Sequence, residues 1–438
     1  MNMKNTYLAT QARLRICNTV RRSYFFWLWL SVACTDQTAL SYQLAGSLVP
    51  ALETSIKDTT QHRFIAYEKN HLFLPQKNTL KPFYAALDTL KYTQHGQVNI
   101  VHFGDSHIQA DYFTGQIRKR FHQQADWGNG GRGYLFPCGL ITRTYDPSTI
   151  VLKKYGRWEG CRNIETKKRC SWGLAGMVAT TYDVEASFDI KPKAIGTTYL
   201  TDRVRLYYPT DQASLFNPRI WDGYGFLPPH RIFKDGYAEF ILTQPTHQVG
   251  ISFQKNRLSQ DHFTFQGVAL ASKQSGVVYH SVGVNGAKVT SFLGSTQLAT
   301  HIKSLQPNLV IISLGTNDCY KINFNTQHFK ASYQQLIQQV RRTCPKAAIL
   351  LTTPGDTYLR DYRYNPHTLK VNNILYELAR QYNLAVWDLY QVMGGYSSIG
   401  KWQAARLAAK DRVHFSKTGY EIQGDLFYEA LLEAYKAH

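Results

Sequence analysis

The chain has 438 residues, long enough for a substantial core and about two domains, and its 50 Lys and Arg against 30 Asp and Glu give a formal charge of +20. The positive charges are dispersed and no nucleic-acid motif accompanies them, which excludes a nucleic-acid binder. Seven cysteines show no zinc spacing, and nothing in the sequence asks for a metal or another cofactor.

At the N-terminus, residues 1–33 carry Lys4, Arg13, Arg15, Arg21 and Arg22 and no acid, then the apolar run Tyr24 to Leu30 and the exit Ser31-Val32-Ala33-Cys34. A basic stretch, an apolar core too short to span a bilayer and a small-residue exit make a signal-peptide plan. Its removal leaves a charge of about +15, which suits an anionic envelope surface. The chain is therefore expected to be exported, to the periplasm or the outer membrane. Cys34 is a candidate for lipid anchoring, with Ser31 three positions before it, where a bulky aliphatic would favour lipidation. Residues 34–80 are expected to be a linker or extension.

Val98 to Phe103 reads as a short buried strand ending in Gly-Asp, and Ile108 to Phe121 follows with helical spacing. From Cys138 to Ser272 the texture changes to short alternating runs separated by Pro and Gly turns: Ala179 to Phe188, Thr198 to Tyr208, Tyr237 to Leu242, Gln248 to Phe253 and Phe263 to Ala271. These predict an all-β sandwich, residues 138–272, inserted between residues 81–137 and 273–438. Most of its aromatics (Trp158, Trp172, Tyr182, Tyr199, Tyr207, Tyr208, Phe216, Trp221, Tyr224, Phe226) are expected in its core, although an exposed ring could stack on a sugar.

After the insert, strand-like runs at Val277 to Val284, Asn308 to Leu314, Ala347 to Thr353 and Leu384 to Leu389 alternate with helical stretches. Phe329 to Thr343 places Phe329, Tyr333, Leu336, Ile337 and Val340 on one face. The last helix is expected to start near Thr418, where Thr418 and Glu421 have capping-box spacing, with Ile422, Leu426, Phe427, Ala430 and Leu431 inward. Alternating strands and helices imply an α/β, flavodoxin-like three-layer fold with a parallel sheet and a ligand site beyond the carboxyl ends of its strands.

Four short blocks fall at the end of a predicted strand or before a helix: Gly104-Asp105-Ser106-His107, Asn285-Gly286, Gly315-Thr316-Asn317-Asp318 and Asp411-Arg412-Val413-His414, with Ser106, Gly286 and Asn317 at the carboxyl ends of the strands. Ser106 is a candidate nucleophile, His414 its base, and Asp411 the carboxylate that orients the imidazole and stabilises its charged form. The backbone N–H groups of Ser106 and Gly286 and the side-chain amide of Asn317 are candidate oxyanion donors. Asp105 and His107 are read as residues that tie the turn rather than metal ligands.

The four blocks, in this order, resemble the SGNH or GDSL-type hydrolase superfamily, with Ser-His where that family commonly has Ser-Leu. The β-rich insert between the first and second blocks, together with Gly104 to Asp111, Gly128 to Gly133 and Gly283 to Ala287, looks like the peptidoglycan O-acetylesterases, in which a carbohydrate-binding-module-like domain interrupts the hydrolase. That resemblance implies a serine esterase acting on an O-acetylated glycan, peptidoglycan foremost. Acetyl xylan or another acetylated carbohydrate is an alternative substrate, as is transfer of the acyl group to a glycan hydroxyl, and so is a glycan-binding protein without catalysis. Longer stretches, such as Leu407 to Phe415, look like secreted SGNH proteins of Bacteroidota. Cys161 and Cys170 are close enough to staple a loop of the insert in an oxidising compartment. Cys319 is expected to be a buried structural thiol.

Overall fold

The computed structural model describes residues 62–438 except 142–145, 166, 195, 197 and 360–362. The expected signal peptide and Cys34 lie outside the described residues.

The central sheet has six strands in the order Leu72–Phe73, Ala385–Trp387, Ala348–Thr352, Leu309–Ser313, Gln97–Gly104 and Gly276–Gly283. The last five are mutually parallel, and the short edge strand Leu72–Phe73 runs antiparallel to Ala385–Trp387. This is the doubly wound order expected from the alternating runs, and its direction of winding reverses between Gln97–Gly104 and Leu309–Ser313, where such sheets open a crevice.

Strand residues alternate between two cores. On one face Val101, Phe103, Val310, Ile312 and Leu351 pack with Phe329, Tyr333, Leu336 and Ile337 of helix Thr326–Thr343 and with Val371 and Leu375 of helix Thr368–Tyr382. On the other, Ile100, Leu309, Ile311 and Leu350 pack with Phe83 and Leu87 of helix Lys81–Thr93, Ile117 and Phe121 of Phe113–His122, and Leu426, Phe427 and Leu431 of Lys417–Lys436. A strand with both faces covered reads as a continuous apolar run, which is why these strands were visible in sequence.

Two helices differ from expectation. The stretch after Ser106 is a single turn, Ser106–Gln109, then a break, then Phe113–His122. Asp111, at φ +56°, makes the break, and its buried carboxylate accepts from Arg118 (3.0 Å), Arg132 (2.6 Å), Ser281 (2.7 Å), Thr114 and Thr149. The final helix is capped by Ser416 rather than Thr418: the Ser416 hydroxyl accepts from Gly419 N at 3.2 Å, on an extended backbone that leads directly into Lys417.

The β-rich segment builds three antiparallel sheets, two of five strands and one of three. Two runs expected to be single strands are each two. Met177–Thr181 and Ser187–Pro192 are separated by a turn in which Ala186 N donates to Asp183 O. Phe263–Phe265 and Gly267–Ala271 lie in different sheets, with buried Gln266 at the corner donating to Ser171 O at 2.5 Å. Gly133–Leu135 forms the edge of one five-stranded sheet by pairing with Gly267–Ala271. The apolar faces of these sheets, through Phe188, Phe240, Ile251 and Phe265, join the same core as Phe103, Val282 and Phe329. The described residues fall in one compact unit. Trp158, Tyr199, Tyr207, Tyr208 and Phe216 are buried and Trp172 is half-buried, whereas Tyr182, Trp221, Tyr224 and Phe226 are exposed.

Candidate active site

Ser106 opens the short turn that follows Gln97–Gly104. The turn can sit down on the sheet because Gly104 and Gly283 carry no side chain: a Cβ on Gly104 would lie 2.4 Å from Ser313 O, and one on Gly283 would lie 2.0 Å from Gln109 N. Asp105 caps the turn, accepting from His107 N at 3.0 Å. Ser106 N–H is thereby among the first N–H groups of the helix, which have no intrahelical acceptor.

His414 arrives from the loop before the last helix. Its Nε2 lies 2.8 Å from Ser106 Oγ and its Nδ1 2.7 Å from Asp411 Oδ2. With the proton on Nδ1, the ring donates to Asp411 and accepts from the serine hydroxyl. Asp411 Oδ1 also accepts from the backbone N–H groups of Val413 and His414, both at 3.0 Å, so the carboxylate curls its own loop into a fixed turn. The hydrogen bond to Asp411 raises the His414 pKa above its ordinary value, and the same bond holds the Asp411 carboxyl well below the usual range.

The second and third blocks meet the first through side chains. Gln109 Oε1 accepts from Asn285 N at 2.6 Å, setting the loop that holds Gly286, whose φ of +84° favours glycine. Asn317 Nδ2 donates to Asp105 Oδ2 at 3.2 Å and to Ala287 O at 3.1 Å. Both of its amide protons are thus engaged in this state. Burial pushes the Asp105 carboxyl up to about 6 and that of Asp318 to about 7; Asp318 accepts from Val289 N at 3.3 Å and fixes the helix after Gly286.

The structure therefore brings together Ser106, His414 and Asp411 in one relay, and Asp105 with Asn317 beside it. His107 lies beside the His414 ring, centroids 5.3 Å apart, with Nδ1 2.9 Å from Tyr420 OH, and burial lowers its pKa to about 3. Cys319 is buried, its Sγ 3.5 Å from Thr316 O, and burial pushes its thiol up to about 12. Cys161 and Cys170 form a disulfide, and Cys138, Cys319 and Cys344 are buried thiols outside it. Gln109, Tyr420 and Asp318 were not assigned positioning roles from sequence. Asp318, directly after Asn317, carried a signal in its place; Tyr420 did not, because only the docking of the last helix brings it to His107.

A serine hydroxyl hydrogen-bonded to an oriented imidazole can attack an ester carbonyl, with its proton passing to Nε2. The GDSL-like lipase/acylhydrolase family matches residues 249–422, a span that includes Gly286, Asn317, Asp411 and His414 and begins after Ser106. Among solved structures, the chain is similar to one described as "Peptidoglycan O-acetylesterase in action, 5 min", with a TM-score of 0.71 and 20% identity over 84% of this chain and 99% of that one. It also matches a lipase/acylhydrolase from Enterococcus faecalis (TM-score 0.30, 22% identity, 36% of this chain and 76% of that one). An acetylxylan esterase from Geobacillus stearothermophilus is comparable (TM-score 0.30, 18% identity, 37% and 73%). No curated protein matches the sequence. Residues 249–422 thus match the GDSL-like lipase/acylhydrolase family, and the fold of the chain is similar to that of a solved peptidoglycan O-acetylesterase.

Proposed function

We propose that the protein removes O-acetyl groups from a cell-envelope glycan, peptidoglycan foremost, through an acyl-enzyme on Ser106. The observation that carries the mechanism is the continuous relay from Ser106 Oγ through His414 to Asp411 Oδ2 at the carboxyl edge of the parallel sheet. In this reading Ser106 Oγ attacks the acetyl carbonyl carbon as its proton moves to His414 Nε2. The oxyanion forms against the N–H groups of Ser106 and Gly286 and the amide of Asn317. Collapse expels the sugar oxygen, which takes the proton back from His414, and water repeats the sequence to release acetate. The glycan substrate is supported by the likeness to the peptidoglycan O-acetylesterase over most of both chains. Export is supported by the N-terminal leader pattern and by the Cys161–Cys170 disulfide, which suits an oxidising compartment.

The test is acetate release from O-acetylated peptidoglycan, with chemically deacetylated peptidoglycan and acetylated xylan in parallel. Release from the first alone, lowered about a thousandfold or more in Ser106→Ala, is expected. Equal or faster release from xylan would move the substrate to plant polysaccharide, and full activity in Ser106→Ala would end the acyl-enzyme mechanism.

A further inference from the structure

Gly286 has open space where a side chain would stand. A Cβ built there meets one heavy atom within 4 Å among the described residues, the Cδ1 of Ile164 at 3.5 Å. Ile164 comes from the β-rich insert, on the turn directly after strand Glu159–Arg162, inside the loop that the Cys161–Cys170 disulfide closes. That turn is held from several sides. Asn163 N donates to Gly176 O at 2.8 Å and its side-chain amide reaches Ser295 Oγ at 3.4 Å, while Arg162 and Lys168 both pair with Glu165, at 3.1 and 3.5 Å. The chain beyond the disulfide is tied to the helices that follow Gly286: Gln297 N donates to Trp172 O at 3.0 Å and Leu174 N to His301 Nδ1 at 3.2 Å. Ile164 itself is half-buried and packs against the main core.

We infer that Ile164 is a specificity-determining residue that closes the acyl side of the site, admitting an acetyl group and rejecting longer chains. The inference rests on the reading of Gly286 N–H as an oxyanion donor. The oxyanion and the acyl chain are substituents of one carbon, and the donor holds the oxygen at about 3 Å. Ile164 Cδ1, 3.5 Å from the place of a Gly286 Cβ, stands beside the backbone unit that supplies this donor, and the proposal places the acyl chain on that side. Ile is β-branched and stiff at χ1, so on an anchored turn it forms a wall rather than a yielding flap. The disulfide makes that wall part of the covalent framework of the insert.

The test compares kcat/KM for p-nitrophenyl acetate, butyrate and hexanoate in the full chain. Ile164→Ala should raise the butyrate-to-acetate ratio by about tenfold or more, the scale of one or two methylenes in an apolar pocket. The Cys161→Ser/Cys170→Ser double variant should move the ratio in the same direction by a smaller factor. If Ile164→Ala does not fold, Ile164→Val, one methyl shorter, should shift the ratio the same way. An unchanged ratio in a variant that melts like the parent overturns the inference while leaving a Ser106-dependent esterase in place. Loss of the esterase reading is separate and visible first: the parent would then hydrolyse none of the three esters, or would retain activity in Ser106→Ala, and the inference falls with it.

Discussion

Asn317 donates from Nδ2 to Asp105 Oδ2, joining the third block of the site to the residue that caps the first. Because the other amide proton reaches Ala287 O, an incoming oxyanion must take over one of these two bonds. The two bonds hold the amide beside the turn that carries Ser106, and in the proposed mechanism one of them is exchanged for the oxyanion as its charge develops. Asn317→Ala should lower kcat about a hundredfold with little change in KM, since the charge it meets exists only in the transition state. A rise in KM alone would make Asn317 a ground-state contact instead. Asp105→Ala should lower kcat as well, because it releases both His107 N and the Asn317 amide. Steady-state kinetics on a small acetate ester measures kcat and KM for both variants.

His414 must be neutral to accept the serine proton, so activity should rise with pH through its titration. The Asp411 bond raises that pKa, and the acid limb is expected above the ordinary histidine value of about 6.5. Asp411→Asn should lower kcat and carry the midpoint of the limb downward, and a pH profile of kcat/KM reads both. An unmoved midpoint would remove Asp411 from contact with the base. For stability the signs run in opposite directions: the His414 contribution is present at low pH and lost as pH rises through its raised pKa, and that of Asp411 is lost as pH falls through its lowered one. Both side chains are more than a third exposed, so solvent screening keeps the pair's effect on stability small.

The parallel strands were legible because each is buried on both faces and bounded by turn residues, and the first three blocks were legible because each follows such a strand, while the fourth lies just before the last helix. What sequence spacing misses is long-range geometry. Asp111 looked like one more polar position on a helix, yet three partners, Arg132, Thr149 and Ser281, lie far along the chain and pull it into a break. Phe263 to Ala271 alternates well enough for one strand, but Gln266 and Gly267, at φ +144°, turn the chain from one sheet to another. The engagement of Asn317 by Asp105 was equally invisible, because it depends on the approach of two loops 212 positions apart.

Asp111 is buried between Arg118 and Arg132. Burial opposes its ionisation, but the two guanidinium groups outweigh that and hold the carboxyl below its usual range. Among the described residues, Arg132 Nε and Nη1 have no hydrogen-bond partner, so the charge is incompletely compensated there. Asp111→Asn should destabilise the fold by about 3 to 5 kcal/mol, the cost of breaking a buried pair from one side, measured by urea unfolding. A loss below about 1 kcal/mol would mean that the arginines find water instead. Because the Asp111 contribution is lost as pH falls through a depressed pKa, the difference between parent and variant should narrow in acid.

The β-rich segment contributes to the α/β part of the fold at four places, and each bears on what its removal would do. Phe188, Phe240, Ile251 and Phe265 complete the core that contains Phe103, Val282 and Phe329. Strand Gly133–Leu135 has its pairing partner at Gly267–Ala271, Thr149 donates to Asp111, and Ile164 Cδ1 lies 3.5 Å from the place of a Gly286 Cβ. Excising residues 138–272 with a short linker would expose that core, leave a strand edge open and unpair part of a buried ion cluster. Each is a large effect compared with the 5 to 15 kcal/mol that stabilises a typical domain. The excised variant is therefore expected to be insoluble or to lack a cooperative thermal transition, with activity lost on p-nitrophenyl acetate and on insoluble glycan alike. A soluble, cooperatively melting variant that retained parental turnover of the small ester would show that the insert serves only to hold the polymer and that its contacts with the site are dispensable.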